Sequence, residues 1–325
     1  MRYARSFGQV SEAERRQAWR FWADFAGVPE PAAEDAENWI PEPSFPKRAS
    51  SLTGEAFIKS IAGYKMRADW QKREDAMVEQ LLAGNIPSWL QQWITVRVSL
   101  NDASPDVKVR VLPDYLCVGT DDNYRHLPLD QQSAQRVADA FTAILPTAKI
   151  CHAIWRRTPW ERAIGAITLP TIRKRAGRNF AQDSTEAFDA HSLAIQDEMK
   201  RKGITPGQLV AGHKKDVVLA AKGKSMPEKI SFHGFYIGKY PAEPCYDAGN
   251  SPGPSCNREM PTTTHPEGLG HFSDYSQGVR LVHPQMTIDG AMHLVSDVLK
   301  DQKLSTLIAE AMIDPPRVPP YPKKK

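Results

Sequence analysis

Ile94-Thr95-Val96-Arg97-Val98-Ser99-Leu100 and, a few residues later, Val107-Lys108-Val109-Arg110-Val111 alternate apolar and polar side chains. A strand sends successive side chains to opposite faces, so both runs read as half-buried strands. Asn101-Asp102-Ala103-Ser104-Pro105-Asp106 between them is rich in turn formers, and the whole reads as a β-hairpin. Tyr115–Gly119 follows as a third strand and Thr120-Asp121-Asp122-Asn123 as a turn.

Upstream the spacing is helical. Ser11-Glu12-Ala13-Glu14 is a capping box for a helix ending at Gly27, with Trp19, Trp22 and Phe25 on one stripe. Val28 to Arg48 holds Pro29, Pro31, Pro41, Pro43 and Pro46, an extended connector anchored by Trp39, Ile40 and Phe45. Helices are expected over 53–62 and 67–83.

Downstream, Asp130 and Thr147 are N-caps of two further helices separated by Pro146. Residues 158–183 read as an irregular basic linker, and Ser184-Thr185-Glu186 starts a helix running to Lys200-Arg201-Lys202-Gly203. Strand-like segments lie at 208–211, 215–221, 229–237 and 278–283, with a long loop at 238–277. Asp289 is expected to open an amphipathic helix to Lys300, with another at 303–312. Strands clustered as hairpins rather than alternating with helices imply an α+β fold: an antiparallel β-sheet with peripheral helices and long proline-rich connections. The expected division is 1–49 (helix and wrapping segment), 50–313 (composite domain, with a sub-boundary near 158–183) and a flexible tail, 314–325.

Composition bounds the function. The chain has 325 residues, with 42 Lys and Arg against 38 Asp and Glu, so a net +4 that is too mild for a nucleic-acid binder. Eight Trp, nine Tyr and eleven Phe argue for a packed core. No run is apolar enough to span a membrane, and Met1 to Val10 lacks the apolar stretch of a signal peptide. Cys117 and Cys151 read as buried thiols, whereas Cys245 and Cys256 bracket a short polar loop and are expected to form a disulfide. That bridge implies an oxidising compartment, secreted or periplasmic, and the lack of any Asn-x-Ser/Thr sequon favours a bacterial source.

Two clusters carry candidate chemistry. Gly212-His213-Lys214-Lys215-Asp216 sits in an apolar β-branched run, where Gly212 permits a turn or bulge that re-aims a side chain. On an extended strand Lys214 and Asp216 would point one way, His213 and Lys215 the other. A plain hairpin turn with solvated charges is the bland reading. The second cluster, His271-Phe272-Ser273-Asp274-Tyr275-Ser276-Gln277-Gly278-Val279-Arg280, lies where the long loop enters a strand. Ser276 as nucleophile, His213 or His271 as base and Asp216 or Asp274 as orienter would assemble an acyl-transfer triad, with Lys214 or Lys215 stabilising negative charge. Asp216 and Asp274 would be the carboxylate pair of a glycosidase. His-x-x-Asp at His213/Asp216 and His271/Asp274 admits a metal, although neither spacing is diagnostic. Arg280 is a candidate bidentate clamp for substrate, flanked by Tyr275 and Gln277, and Asp114-Tyr115 is a possible part of the same pocket.

The expectation is therefore a hydrolase of exported bacterial type, acting on acyl or glycosidic bonds between the 212–216 and 271–280 segments. A glycan- or peptide-binding protein and a His/Asp metal-dependent hydrolase are the alternatives. No cofactor is called for; the partner is a small-molecule, glycan or peptide substrate, with no nucleic acid, no membrane span and the oligomeric state left open.

Overall fold

The 94–111 hairpin forms as its alternation predicts. β1 (Ile94–Arg97) and β2 (Val107–Val111) pair antiparallel with Ile94 opposite Val111 and Arg97 opposite Lys108. Val107, Val109 and Val111 are buried, Lys108 is exposed and Arg110 half-buried, so one face of the ribbon enters the core. The computed structural model describes residues 43–49, 51–64, 68–99, 105–159, 162–221, 230–234, 260–262 and 273–320. All fall in the second of the chain's two units, Pro43–Lys325. The expected helix at 11–27, the anchors Trp39 and Ile40, residues 101–104 of the 101–106 turn, His271 and the Cys245–Cys256 bridge lie outside the described residues.

Among the described residues, β2 is not an edge. Its other side pairs antiparallel with β9 (Val282–Ile288), which pairs with β10 (Ala291–Leu294), giving the order β1-β2-β9-β10. The β9–β10 turn corrects the helix expected from Asp289. Asp289 and Gly290 have φ of 52° and 86°, the two left-handed residues of a tight hairpin turn, for which Asp-Gly is a preferred pair. The helix, α7 (Val295–Lys300), starts only after β10, and the helix expected at 303–312 shrinks to α8 (Ser305–Ile308).

A second sheet has the order β7-β6-β5-β8, from β5 (Lys215–Val217), β6 (Ile230–Gly234), β7 (Met260–Thr262) and β8 (Gln277–Gly278). β5 and β8 run parallel, with Lys215 opposite Gln277 and Asp216 opposite Gly278, so the sheet is not purely antiparallel as expected. Segment 208–211 is no strand; it contributes one bridge, Ala211 to Ala163. A short hairpin, β3 (Cys117–Gly119) with β4 (Tyr124–His126), turns at the expected 120–123.

The helices begin where their caps stand. Thr53, Asp130, Thr147 and Ser184 each accept a backbone N–H three residues on, opening α1 (Gly54–Ile61), α3 (Gln131–Ala140), α4 (Ala148–Arg157) and α6 (Thr185–Arg201). Each such cap stabilises its helix by about 1 kcal/mol. α2 (Trp70–Leu82) carries Arg73 and Glu74 into the interior. Residues 158–183 are more than a linker. They form α5 (Leu169–Ala176), with Pro170 in its first turn and Gly177 left-handed at its end. Ile164, Ile167 and Ile172 pack there with Phe188 and Ile195 of α6 in a second apolar core, beside the main one built on the β1-β2-β9-β10 sheet. The tail expected to be free from Asp314 is fixed over its first residues. Gln135 Oε1 accepts from Val318 N at 2.9 Å, Gln132 Nε2 donates to Pro319 O at 2.6 Å, and Arg317 pairs with Asp139 at 2.9 Å.

A buried Asp–His–His cluster beneath the second sheet

The site grows from the stretch between β2 and β3. Leu112 N and Leu116 N donate to Leu281 O and Val279 O, clamping both ends of the stretch, while Pro113 O accepts from Val210 N. Between these bonds Asp114 and Tyr115 turn inward and are almost fully buried. Asp114 Oδ1 accepts from its neighbour's amide, Tyr115 N, at 2.7 Å and lies 3.0 Å from His213 Nε2. Its Oδ2 lies 3.1 Å from His126 Nε2. His126, on β4, is held from behind by Ser192 of α6, whose Oγ is 3.0 Å from Nδ1. Asp114, His126 and His213 thus bring one ligand atom each to within 4.8 Å of one another.

His213 reaches the cluster because the chain bends sharply before β5. Gly212 has φ of 95°, and a Cβ there would stand 2.2 Å from the Trp155 ring and 2.6 Å from Ile164 O. Only glycine meets both demands. The solvated turn is thereby excluded: His213, Lys214 and Asp216 are 0%, 1% and 4% exposed. The simple alternation also fails, since strand geometry starts only at Lys215, leaving both His213 and Lys214 facing inward. Lys214 Nζ donates to Tyr275 O at 2.8 Å and stands 3.4 Å from His191 Nδ1. Gly278 makes room for this chain; a Cβ there would meet Tyr115 Cδ1 at 2.6 Å and Lys214 Cδ at 2.7 Å.

Asp216 accepts a hydrogen bond from Tyr115 Oη at 3.1 Å, and the Tyr115 ring packs edge-on against His213 at 4.9 Å between centroids. Tyr115 therefore bridges the cluster to Asp216. Lys215 projects from the other face of β5, bonding Asp274 Oδ2 at 3.0 Å and lying over the Phe232 ring.

These contacts redistribute the expected roles. Ser276 Oγ donates to Asp274 Oδ1, which also accepts from Ser276 N at 2.8 Å; no histidine bonds the hydroxyl among the described residues. His213 is oriented by Asp114, not by Asp216 or Asp274, so the Ser276–His213 triad does not assemble; His271, the other expected base, lies outside the described residues. Asp216 and Asp274 are served from opposite faces of β5 and do not confront each other as a carboxylate pair. Arg280 is no clamp. Its two terminal nitrogens donate to Leu112 O and Val210 O at 2.7 Å each, and its guanidinium stacks on Tyr115 at 4.6 Å. Tyr275 and Gln277 are buried, Tyr275 against the His191 ring at 4.9 Å. The His213/Asp216 pair is not a ligand pair either, because Asp216 bonds the Tyr115 hydroxyl while His213 turns to Asp114.

Burial sets the electrostatics. It opposes ionisation of Asp114, but the imidazoles of His126 and His213 outweigh it and hold the carboxyl well below the usual carboxylate range. Burial lowers His126 and carries His213 down to about 4 despite Asp114, so both rings are neutral near pH 7. Burial pushes Asp216 up to about 7, against Arg280 and the Tyr115 hydroxyl. It also pulls Lys214 down to about 7, against Cys117, Asp274 and Asp114.

Comparison with known proteins finds no matching family model, curated protein or solved structure. Among the described residues no helix is long and apolar enough to cross a membrane. Of the cluster, only His213 was among the leading candidates in the sequence. Asp114 was a marginal one, and His126, His191 and Ser192 carried no local signal, sitting singly in a short strand and a helix.

Proposed function

We propose that the chain is a hydrolase of acyl-type bonds, with water rather than Ser276 as the nucleophile. One observation carries this reading: a single buried face brings the Asp114–His126–His213 cluster, the Lys214 amine and the Tyr115–Asp216 pair together, linked through Tyr115. In this reading water is activated at the cluster. Lys214, which has no carboxylate within ion-pair distance among the described residues, is the cation for charge developing on the acyl oxygen. Asp216, with the Tyr115 hydroxyl, delivers a proton to the leaving group. The glycosidic variant is less well supported, because Asp274 is committed to Lys215 and Ser276. Residence in an oxidising compartment, secreted or periplasmic, with the Cys245–Cys256 bridge stapling a proline-rich connection, belongs to the same proposal; Cys117 and Cys151 are free thiols.

The test is turnover of panels of aryl esters, aryl amides and aryl glycosides by the full chain and three variants. Asp114→Asn and Asp216→Asn are expected to lose roughly 100-fold or more on the ester or amide panel, with Ser276→Ala close to wild type. Loss of turnover in Ser276→Ala, or full activity in Asp216→Asn, overturns the assignment. Hydrolysis confined to the glycosides returns the carboxylate mechanism.

A further inference from the structure

We propose that Asp114, His126 and His213 form a binding site for one divalent transition-metal ion of the zinc class. Three features of the cluster point there. The donor set, two imidazoles and one carboxylate, is that of known catalytic zinc and non-haem iron sites, and its ligand atoms already lie within 4.8 Å of one another. The far nitrogen of His126 is held by Ser192 Oγ at 3.0 Å, the outer-shell support that orients a ligating ring. The other ring nitrogen of His213, Nδ1, is buried without a hydrogen-bond partner among the described residues, so no donor aimed at it opposes a proton moving there and freeing Nε2.

The proton balance is simple. Without metal, both rings present Nε2–H to Asp114. On binding, each ring shifts its proton from Nε2 to Nδ1, and the freed Nε2 lone pairs take the ion together with an Asp114 oxygen. On His126 the shifted proton meets Ser192 Oγ, whose own hydroxyl proton then turns away and which gives up the longer bond from Gln196 Nε2 at 3.3 Å. A neutral ring keeps its one proton through this shift, so the protein ligands themselves release none. Three protein donors leave a coordination position for water, and lowering the pKa of a bound water is what such an ion does in hydrolases.

The inference rests on the proposed function only in locating water activation at the cluster, and its test needs no turnover. The full chain is stripped with chelator, then titrated with Zn²⁺ and with Co²⁺, reading metal content after gel filtration and the visible spectrum of bound Co²⁺. Expected is about one ion per chain, with d–d bands of a nitrogen/oxygen site and no thiolate charge-transfer band. His126→Gln should abolish it. Ser192→Ala keeps all three donors and is the variant to use if His126→Gln fails to fold; it should weaken binding about 10-fold or more. No stoichiometric ion in the wild type overturns the inference, as does binding unchanged in Ser192→Ala or His126→Gln. A thiolate band overturns it too. Bound metal with no ester or amide turnover would leave this site standing and remove the function; chelator-resistant turnover without metal would do the reverse.

Discussion

Replacing Asp216 by Asn isolates the energetic consequence of burying a carboxyl between Tyr115, Cys151 and Arg280. Asn matches the shape and still accepts from the Tyr115 hydroxyl at its oxygen. In the folded chain burial raises Asp216 from the ordinary 3.8 to about 7. The native state therefore keeps a proton that the unfolded chain has released, and stability falls as pH climbs through that window, then levels off above it. At about 1.36 kcal/mol per pH unit, the rise is worth roughly 4 kcal/mol. Asn does not ionise, so the variant should gain on the wild type by up to that amount between about pH 4 and about pH 8. Tyr115, Cys151 and Arg280, with His233 across the β5–β6 pair, are common to both proteins and drop out of the difference. Urea unfolding of the two chains across that range gives the difference directly, provided the slopes with denaturant agree. Parallel stability profiles for the two proteins would refute the reasoning, as would a variant that loses ground toward alkaline pH.

Arg280→Lys should cost about 3–5 kcal/mol in urea unfolding, since one ammonium cannot serve Leu112 O and Val210 O as the guanidinium fork does; a loss below about 1 kcal/mol would mean the two carbonyls find other donors. Gly212→Ala should lower the yield of folded chain sharply, because a positive φ and the Trp155 ring both oppose a methyl. Gly290→Ala is the control: the same sign of φ, 86°, but open space around it, so about 1 kcal/mol on thermal or urea unfolding. Removing residues 314–325 should reduce stability by about 2 kcal/mol through loss of Val318 burial and its bond to Gln135, and an unchanged melting curve would contradict the docking described.

What could be read in the sequence was whatever had a local cause. Caps at Asp130, Thr147 and Ser184 announce helices because the capping side chain and its amide partner are three residues apart. The 94–111 alternation announces strands for the same reason. Asp289 was legible too, but ambiguous: an aspartate before an apolar run suits a helix cap, whereas followed by Gly290 it suits a hairpin turn, and cross-strand pairing of β9 with β10 decides it. The cluster itself had no local cause. Asp114, His126 and His213 belong to a loop, an edge hairpin and a glycine bend, and nothing in any one segment reports the other two. Arg280 misled because an arginine among valines and leucines suggests an anion, while backbone carbonyls, which carry no sequence signature, were its partners.

The same long connections dictate when the molecule can close. β2 finds β1 at once, but its other neighbour, β9, is synthesised some 170 residues later, and the links from Arg73 and Glu74 to Ser273 span 200 and 199 residues. Arg280 arrives 168 residues after the carbonyl of Leu112 that it binds. On the ribosome, most of the chain is therefore made while β2 still presents an open edge and the face around Asp114 lacks its lid of 273–282. Such an edge is a template for pairing with other chains. Truncations upstream of β9 should thus behave as aggregation-prone, chaperone-dependent species rather than as smaller versions of the folded chain.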